Sequence, residues 1–398
     1  MSKIKIAVVN VFFPPQSIGG ATRVVVDNVD FLLEKYGNEF ELVIFTSDFE
    51  MHNRPHAIDC YMYKGIRVYR CSVLFREEMD WYAQDVEMMP LFKKFLDFEK
   101  PDKVHFHCVQ RLSASVVDAT LAKGIPYFIT LHDAWWISDF QFLVDSDGKV
   151  YPNGHIDSSE SIKLPKGVTR KASAQRKLYL AKMMQGAEKL FTVSESFKQL
   201  YNKNGVSNII VTKNGISNKT NWLPKETSYT SKVVCGHIGG MSSHKGFDIL
   251  KDAVLEVQPQ NVEFLIVDHA KEEGYISKKK WGKIDITFIG RQNQENIVSL
   301  YGKIDVLFAP SIWPESFGLV TREASACGCW VVASNMGGIG EDILDGKNGF
   351  VIDPTQEALE KTLQKIDSNY KKYKTVAEKG NISLVEEQVK QLRRYLNG

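Results

Sequence analysis

Short apolar runs rich in β-branched and aromatic residues alternate along this chain with longer stretches of helical period. In the first half the runs cover 4–13, 41–46, 66–71, 103–108, 126–131, 189–193 and 208–212. In the second half they cover 232–238, 262–267, 286–289, 305–309, 330–333 and 349–352. Such alternation predicts βαβ units, with strands in parallel sheets covered by helices on both faces. Lys213-Asn214-Gly215-Ile216 and a polar stretch at 217–231, which includes Pro224, separate the two series and read as a linker. The expected architecture is α/β, with one Rossmann-like domain at 1–215 and a second at 216–381. The helical pattern at 382–396 is expected to pack back onto the first domain. Two such domains would turn the carboxyl ends of their sheets toward a cleft, where ligands bind in sheets of this kind.

Composition narrows the class. At 398 residues the chain exceeds what one core usually holds, and 43% hydrophobic with 25% charged residues describes an ordinary globular protein. No apolar run approaches a membrane span, and the N-terminus leads into a strand. The six cysteines are scattered without a C-x-x-C pair and read as reduced thiols of a cytoplasmic protein. A net charge of +2 excludes a dominant nucleic-acid footprint. One local basic excess, at 160–190, suits phosphate groups or peripheral contact with an anionic membrane. Its charges spread around the helical wheel, which favours a solvated surface helix.

The most informative segment runs from Ser311 to Glu323, SIWPESFGLVTRE. An apolar strand closed by Pro310 precedes it, and a helix-forming stretch ending at Gly328 follows. Glu315 is therefore expected in a loop at a strand's carboxyl end, and Glu323 in the first or second helical turn. Between them, backbone N–H groups near Phe317, Gly318 and Leu319 are free to attract an anion. Phe317 to Glu323 spans roughly 9 Å at about 1.5 Å per residue, a reach that suits a diphosphate flanked by hydroxyl-rich groups. Either glutamate alone also reads as a solvated carboxylate.

Upstream, His237-Ile-Gly239-Gly240-Met-Ser-Ser-His244-Lys245-Gly246 is a strand, a glycine-containing loop and a helix start. A backbone-exposing loop that ends in lysine suits phosphate, although it is not a Walker loop. Gly19-Gly20, followed by Arg23, forms a second glycine loop after the first strand, without a dinucleotide fingerprint. It allows close ligand approach, or a plain turn. His132 is expected at a strand end on the cleft side. His105 and His107 share one strand face and, with no third ligand nearby, read as structural. Ser316 and Ser194 have no local histidine partner. Gly337-Gly338-Ile339-Gly340-Glu341 is a further glycine turn on the same sheet edge, and Arg291 follows another strand.

Taken in order, these segments resemble the retaining glycosyltransferases of family 4, which have the two-domain GT-B fold. The likeness covers nearly the whole chain, and the glutamate motif followed by Ala324-Ser-Ala-Cys-Gly328 is its specific part. It implies that Lys245 neutralises a donor diphosphate, Glu323 bonds the nucleotide ribose and Glu315 faces the transferred sugar. It further implies that Gly239, Gly240, Ser316 and the backbone at Phe317, Gly318, Leu319 and Val320 hold sugar and phosphate, with Arg291 near the base. His132 would approach the sugar from the first domain, and Gly19, Gly20 and Arg23 would lie near diphosphate and acceptor.

The implied function is retaining transfer of a hexose-type sugar from a nucleotide-sugar donor to a hydroxyl of a glycan or lipid-linked glycan, in bacterial surface polysaccharide synthesis. No metal or other cofactor is expected. A sugar-nucleotide epimerase and a catalytically weak sugar-nucleotide-binding subunit are the alternatives. The chain departs from the family where Gly240 replaces an arginine that many members carry. Arg23, Arg291 and His244 are the candidates to compensate. The loop at 138–169 lacks cysteines, so no zinc is expected there.

Overall fold

The computed structural model describes residues 3–16, 19–48, 54–154, 163–217, 222 and 231–398. Most of the predicted linker, part of the 138–169 loop, and Ser17 and Ile18 of the first glycine loop lie outside these. The chain divides into two compact units, Met1–Gly215 with Leu384–Gly398, and Ile216–Ser383.

Among the described residues the first unit holds eight strands: β1 (Ile4–Val9), β2 (Phe40–Asp48), β3 (Ile58–Tyr63), β4 (Ile66–Ser72), β5 (Lys103–Phe106), β6 (Tyr127–Leu131), β7 (Lys189–Thr192) and β8 (Ile209–Val211). They lie in the order β3-β4-β2-β1-β5-β6-β7-β8. Side chains of β1 alternate between two cores. Ala7 and Val9 join the cluster that contains Phe92, Phe106 and Trp135. Ile6 and Val8 join the one that contains Phe13, Val25 and Leu392. This period of two, with both faces buried, is why the strands read as nearly continuous apolar runs.

The second unit carries β9 (Val233–His237), β10 (Val262–Asp268), β11 (Ile276–Trp281), β12 (Ile284–Gly290), β13 (Val306–Ala309), β14 (Trp330–Ser334) and β15 (Gly349–Ile352). Their order is β11-β12-β10-β9-β13-β14-β15. Again alternate residues serve opposite cores: Val306 and Phe308 one, Leu307 and Ala309 the other.

Three expectations are corrected. Each sheet ends in an antiparallel strand, β3 against β4 and β11 against β12, where wholly parallel sheets are expected. The sequence of β11, Ile-Ser-Lys-Lys-Lys-Trp, has too little apolar character to register as a strand, and its lysines suit an exposed edge. β1 stops at Val9 instead of running to Phe13. There the Asn10 side chain accepts from Cys108 N–H at 3.1 Å and donates to Phe12 O at 2.7 Å, which turns the chain. Finally, the basic helix Arg170–Gln185 is not wholly solvated. Arg176 is buried, donates to the carbonyls of Trp81 (2.7 Å), Ser138 (3.0 Å) and Trp135 (2.9 Å), and lies over the Trp135 ring.

None of the six cysteines forms a disulfide, and only Cys60 is exposed. Among the described residues no helix is long and apolar enough to cross a membrane.

The helix Val385–Leu396 belongs to the first unit and buries Val385, Val389, Leu392 and Leu396 in the core that holds Ile6 and Val8. Leu392→Ala should therefore cost about 2–5 kcal/mol locally. The expected result is faster amide hydrogen exchange across β1 and β2, with β9 and β10 unaffected. Equal acceleration in both units would contradict this packing.

Candidate functional site

In the second sheet the strand order reverses direction between β9 and β13, so the loops leaving these two strands diverge and leave a crevice at their carboxyl ends. The loop after β9 passes through Gly239 and Gly240, makes a 3-10 turn at Ser243–Lys245, and enters the helix Phe247–Val257 through Gly246. Gly246 has φ +75°, and a Cβ there would lie 2.0 Å from Pro310 O. Only glycine lets the turn press so closely on the segment after β13. Ile312 N–H donates to His244 O at 3.0 Å across the same contact.

This approach brings Lys245 Nζ to 2.9 Å from Glu315 Oε1. Ser311 Oγ donates to the same carboxylate oxygen, and the Lys245 ammonium lies 4.9 Å from the centre of the Trp313 ring. Two residues seventy positions apart thus meet at the switch point, both partly accessible.

Glu315 is held through its backbone by the glycine turn singled out at 337–341. Gly338 N–H donates to Glu315 O at 2.7 Å, and Glu315 N–H donates to Met336 O at 3.2 Å. Gly337 has φ +73°, and its Cβ would fall 2.2 Å from Glu315 O. The helix Leu319–Ala326 starts after Gly318 (φ 84°) with no side-chain cap. Ser316, Gly318, Leu319 and Val320 are partly exposed at this end, whereas Phe317 is buried. Glu323 falls in the second turn, as expected, but is buried: Tyr301 Oη donates to its Oε2 at 2.9 Å.

Beneath this loop lies a residue to which the sequence reading assigned no role. Arg322 is buried and pairs with Asp342 at 2.7 Å. It donates to the carbonyls of Gly338 (2.8 Å), Ile339 (3.2 Å) and Phe317, and lies over the Phe317 ring. Burial pulls its pKa down, against the pull of Asp342. An arginine among the small residues of a helix, one place before Glu323, was the available signal.

Gly240 has φ +93°, which disfavours any side chain at the position where an arginine is common. Two histidines hold its loop. His269 Nε2 lies 2.8 Å from Ile238 O. His237 is buried and places Nε2 2.8 Å from Gly240 O and Nδ1 3.0 Å from Phe308 O. His244 packs edge-on to Trp313 beside Lys245, and burial and then Lys245 lower its pKa. Arg291 is exposed after β12 and ion-paired with Glu272.

In the first unit His132 follows β6, and its Nε2 is 3.0 Å from Nδ1 of His107, which follows β5. His105 sits 2.8 Å from Thr130 Oγ1 and stacks near His107. Burial lowers all three imidazoles, His105 to about 3, His132 to about 4 and His107 well below its usual value. His107, read as structural, is thus the partner that orients His132. Asp133 is raised to about 6 by burial, despite donors from Trp135 N–H, Gln141 and Gln110. Gly19 and Gly20 are exposed at the start of the helix Gly19–Tyr36, and Arg23 is half-buried on its first turns. Among the described residues no group of three or more His, Cys, Asp or Glu could hold a metal ion.

Comparison with known proteins gives the frame for these features. A model of Glycosyltransferase Family 4 matches residues 18–219, and one of Glycosyl transferases group 1 matches residues 218–382. An uncharacterized glycosyltransferase of Methanocaldococcus jannaschii is 24% identical over 95% of this chain and 92% of its own length. A D-inositol 3-phosphate glycosyltransferase of Mycolicibacterium vanbaalenii is 44% identical over a 68-residue stretch, 17% of this chain and 15% of that protein. Among solved structures, sucrose-phosphate synthase from Thermosynechococcus elongatus aligns with TM-score 0.71 at 16% identity, over 99% of this chain and 98% of that one. HepE of Anabaena, in complex with UDP and glucose, aligns with TM-score 0.66 at 18% identity over 99% of both chains. With a family model across half of its length and the two-domain GT-B fold throughout, the chain belongs to glycosyltransferase family 4.

Proposed function

We propose that this glycosyltransferase binds a nucleotide-sugar donor at the Lys245–Glu315 crevice of its second unit and transfers a hexose-type sugar with retained stereochemistry. The observation that carries the reading is the pairing of Lys245 with Glu315 at 2.9 Å, beside the uncapped start of the Leu319–Ala326 helix. A cation, a carboxylate and a run of helix N–H groups at a switch point match the diphosphate, the sugar hydroxyls and the phosphate oxygens of such a donor. The UDP and UDP-glucose bound by HepE support the ligand class.

In the free protein Glu315 stands in for the anion. An arriving diphosphate takes over the Lys245 ammonium, and the released carboxylate turns to hydroxyls of the sugar. As the bond to the anomeric carbon breaks, charge grows on the diphosphate, where Lys245 and the N–H groups of Gly318, Leu319 and Val320 stabilise it. The acceptor hydroxyl attacks from the face that the diphosphate leaves, through an oxocarbenium-like transition state, and gives its proton to an oxygen of the departing diphosphate. Glu315 binds and orients, and acts as neither acid nor nucleophile. Glu323 is buried, with Tyr301 Oη on its Oε2 and Gln294 Nε2 3.5 Å from its Oε1, and in this reading the ribose hydroxyl takes over from Gln294. In this reading the diphosphate is held by Lys245 and the helix N–H groups, without a divalent ion. In the first unit His132, oriented by His107, is assigned to the acceptor, with Gly19, Gly20 and Arg23. A glycan or lipid-linked glycan of a bacterial surface polysaccharide, built in the cytoplasm, is the acceptor in this reading.

Lys245→Ala should lower transfer by roughly 10²-fold or more and weaken UDP, ADP or GDP binding in calorimetry without added metal. A near-normal transfer rate in that variant would overturn the assignment, as would a strict requirement for a divalent ion.

Gly337→Ala tests the glycine turn behind Glu315. The added methyl displaces the Glu315 backbone, and a shift near 1 Å is expected to lower kcat by roughly 10²-fold. Unchanged kcat with an intact fold by circular dichroism would show that the turn does not position Glu315.

A further inference from the structure

His237 presents a hydrogen-bonding problem that only a second proton solves. Its buried ring faces two carbonyl oxygens, Phe308 O at 3.0 Å from Nδ1 and Gly240 O at 2.8 Å from Nε2. Carbonyl oxygens only accept, and a neutral imidazole carries a single N–H. One nitrogen of neutral His237 therefore points a lone pair at an oxygen, whereas an imidazolium donates to both. In the free protein burial opposes that second proton, the two carbonyls favour it, and the charges of Lys245 and His269 oppose it. β13 offers the Phe308 carbonyl, and the following helix offers the Phe247 ring at 5.8 Å. Lys245 itself is balanced by Glu315.

We propose that His237 takes up a proton from solvent when a nucleoside diphosphate occupies the Lys245 loop, and that the imidazolium supplies positive charge at a loop whose position 240 carries no arginine. The inference rests on the donor site described above. The anion brings negative charge to the far side of the Gly240 peptide, which favours the charged ring. Both acceptors already stand at hydrogen-bond distance, so protonation needs no rearrangement. The N–H given to Gly240 O then polarises the peptide that links Gly240 to Met241 in the phosphate loop. At φ +93°, Gly240 itself is poorly suited to carry a cationic side chain.

Calorimetry of the full chain with UDP at neutral pH, repeated in buffers of different protonation enthalpy, counts the protons exchanged. Uptake of about one proton per UDP bound is expected. A terminal phosphate titrates near about 6, and binding beside a cation favours its dianion, so the ligand can only release protons. The uptake should vanish in His237→Asn and persist in His244→Asn, the other histidine beside Lys245. Binding without uptake, or an uptake that survives His237→Asn, overturns the inference. Should His237→Asn fail to fold, ring ¹⁵N shifts of histidine-labelled wild-type protein decide instead: the doubly protonated signature must appear for His237 on UDP addition, and a ring that stays neutral overturns the inference. Failure of UDP, ADP and GDP to bind at all overturns the donor site, and this inference with it.

Discussion

The crevice of the second unit depends on burying one guanidinium. Arg322 ties the Phe317 end of its own glutamate loop to the turn at 338–342, through the carbonyls of Gly338 and Ile339 and the carboxylate of Asp342. Removing a charge from water is costly, and only a carboxylate plus several carbonyls at bonding distance offsets that cost. Once offset, the geometry is stiff, because the planar fork leaves each partner little choice of position. Loss of one partner of such a buried pair costs about 3–5 kcal/mol. The loop that carries Glu315 thus rests on a rigid polar core.

Glycines complete the arrangement by allowing contacts that a Cβ would forbid. Gly246 lets the lysine turn meet Pro310, and Gly337 lets the second turn meet Glu315. Without these two approaches Lys245 and Glu315 would sit on neighbouring loops and not form their ion pair. The pairing in the free protein keeps the lysine oriented and leaves both partners partly accessible.

Most of the fold was legible in the sequence because a strand buried on both faces must be apolar nearly throughout. β1, β9 and β13 carry that mark plainly. β11 does not, since an edge strand facing water gains little from apolar residues and its lysines guard it against pairing with other chains. β3 alternates half-buried and exposed residues for the same reason.

Within the site, residue types and local spacing determined that Lys245 ends a glycine loop and that Glu315 and Glu323 bracket a helix start. The sequence by itself also determined family membership, because a motif of contiguous residues survives as a string. Partnership across the sheet came only from the tertiary structure: Lys245 with Glu315, Glu323 with Tyr301, His132 with His107, and both nitrogens of His237 with carbonyls. Each of those contacts, apart from the local one of His237 with Gly240, joins segments brought together by strand order. A chain read one residue at a time carries hydrophobic period and turn chemistry, but which loops converge depends on which strands become neighbours, and burial of the whole sheet decides that.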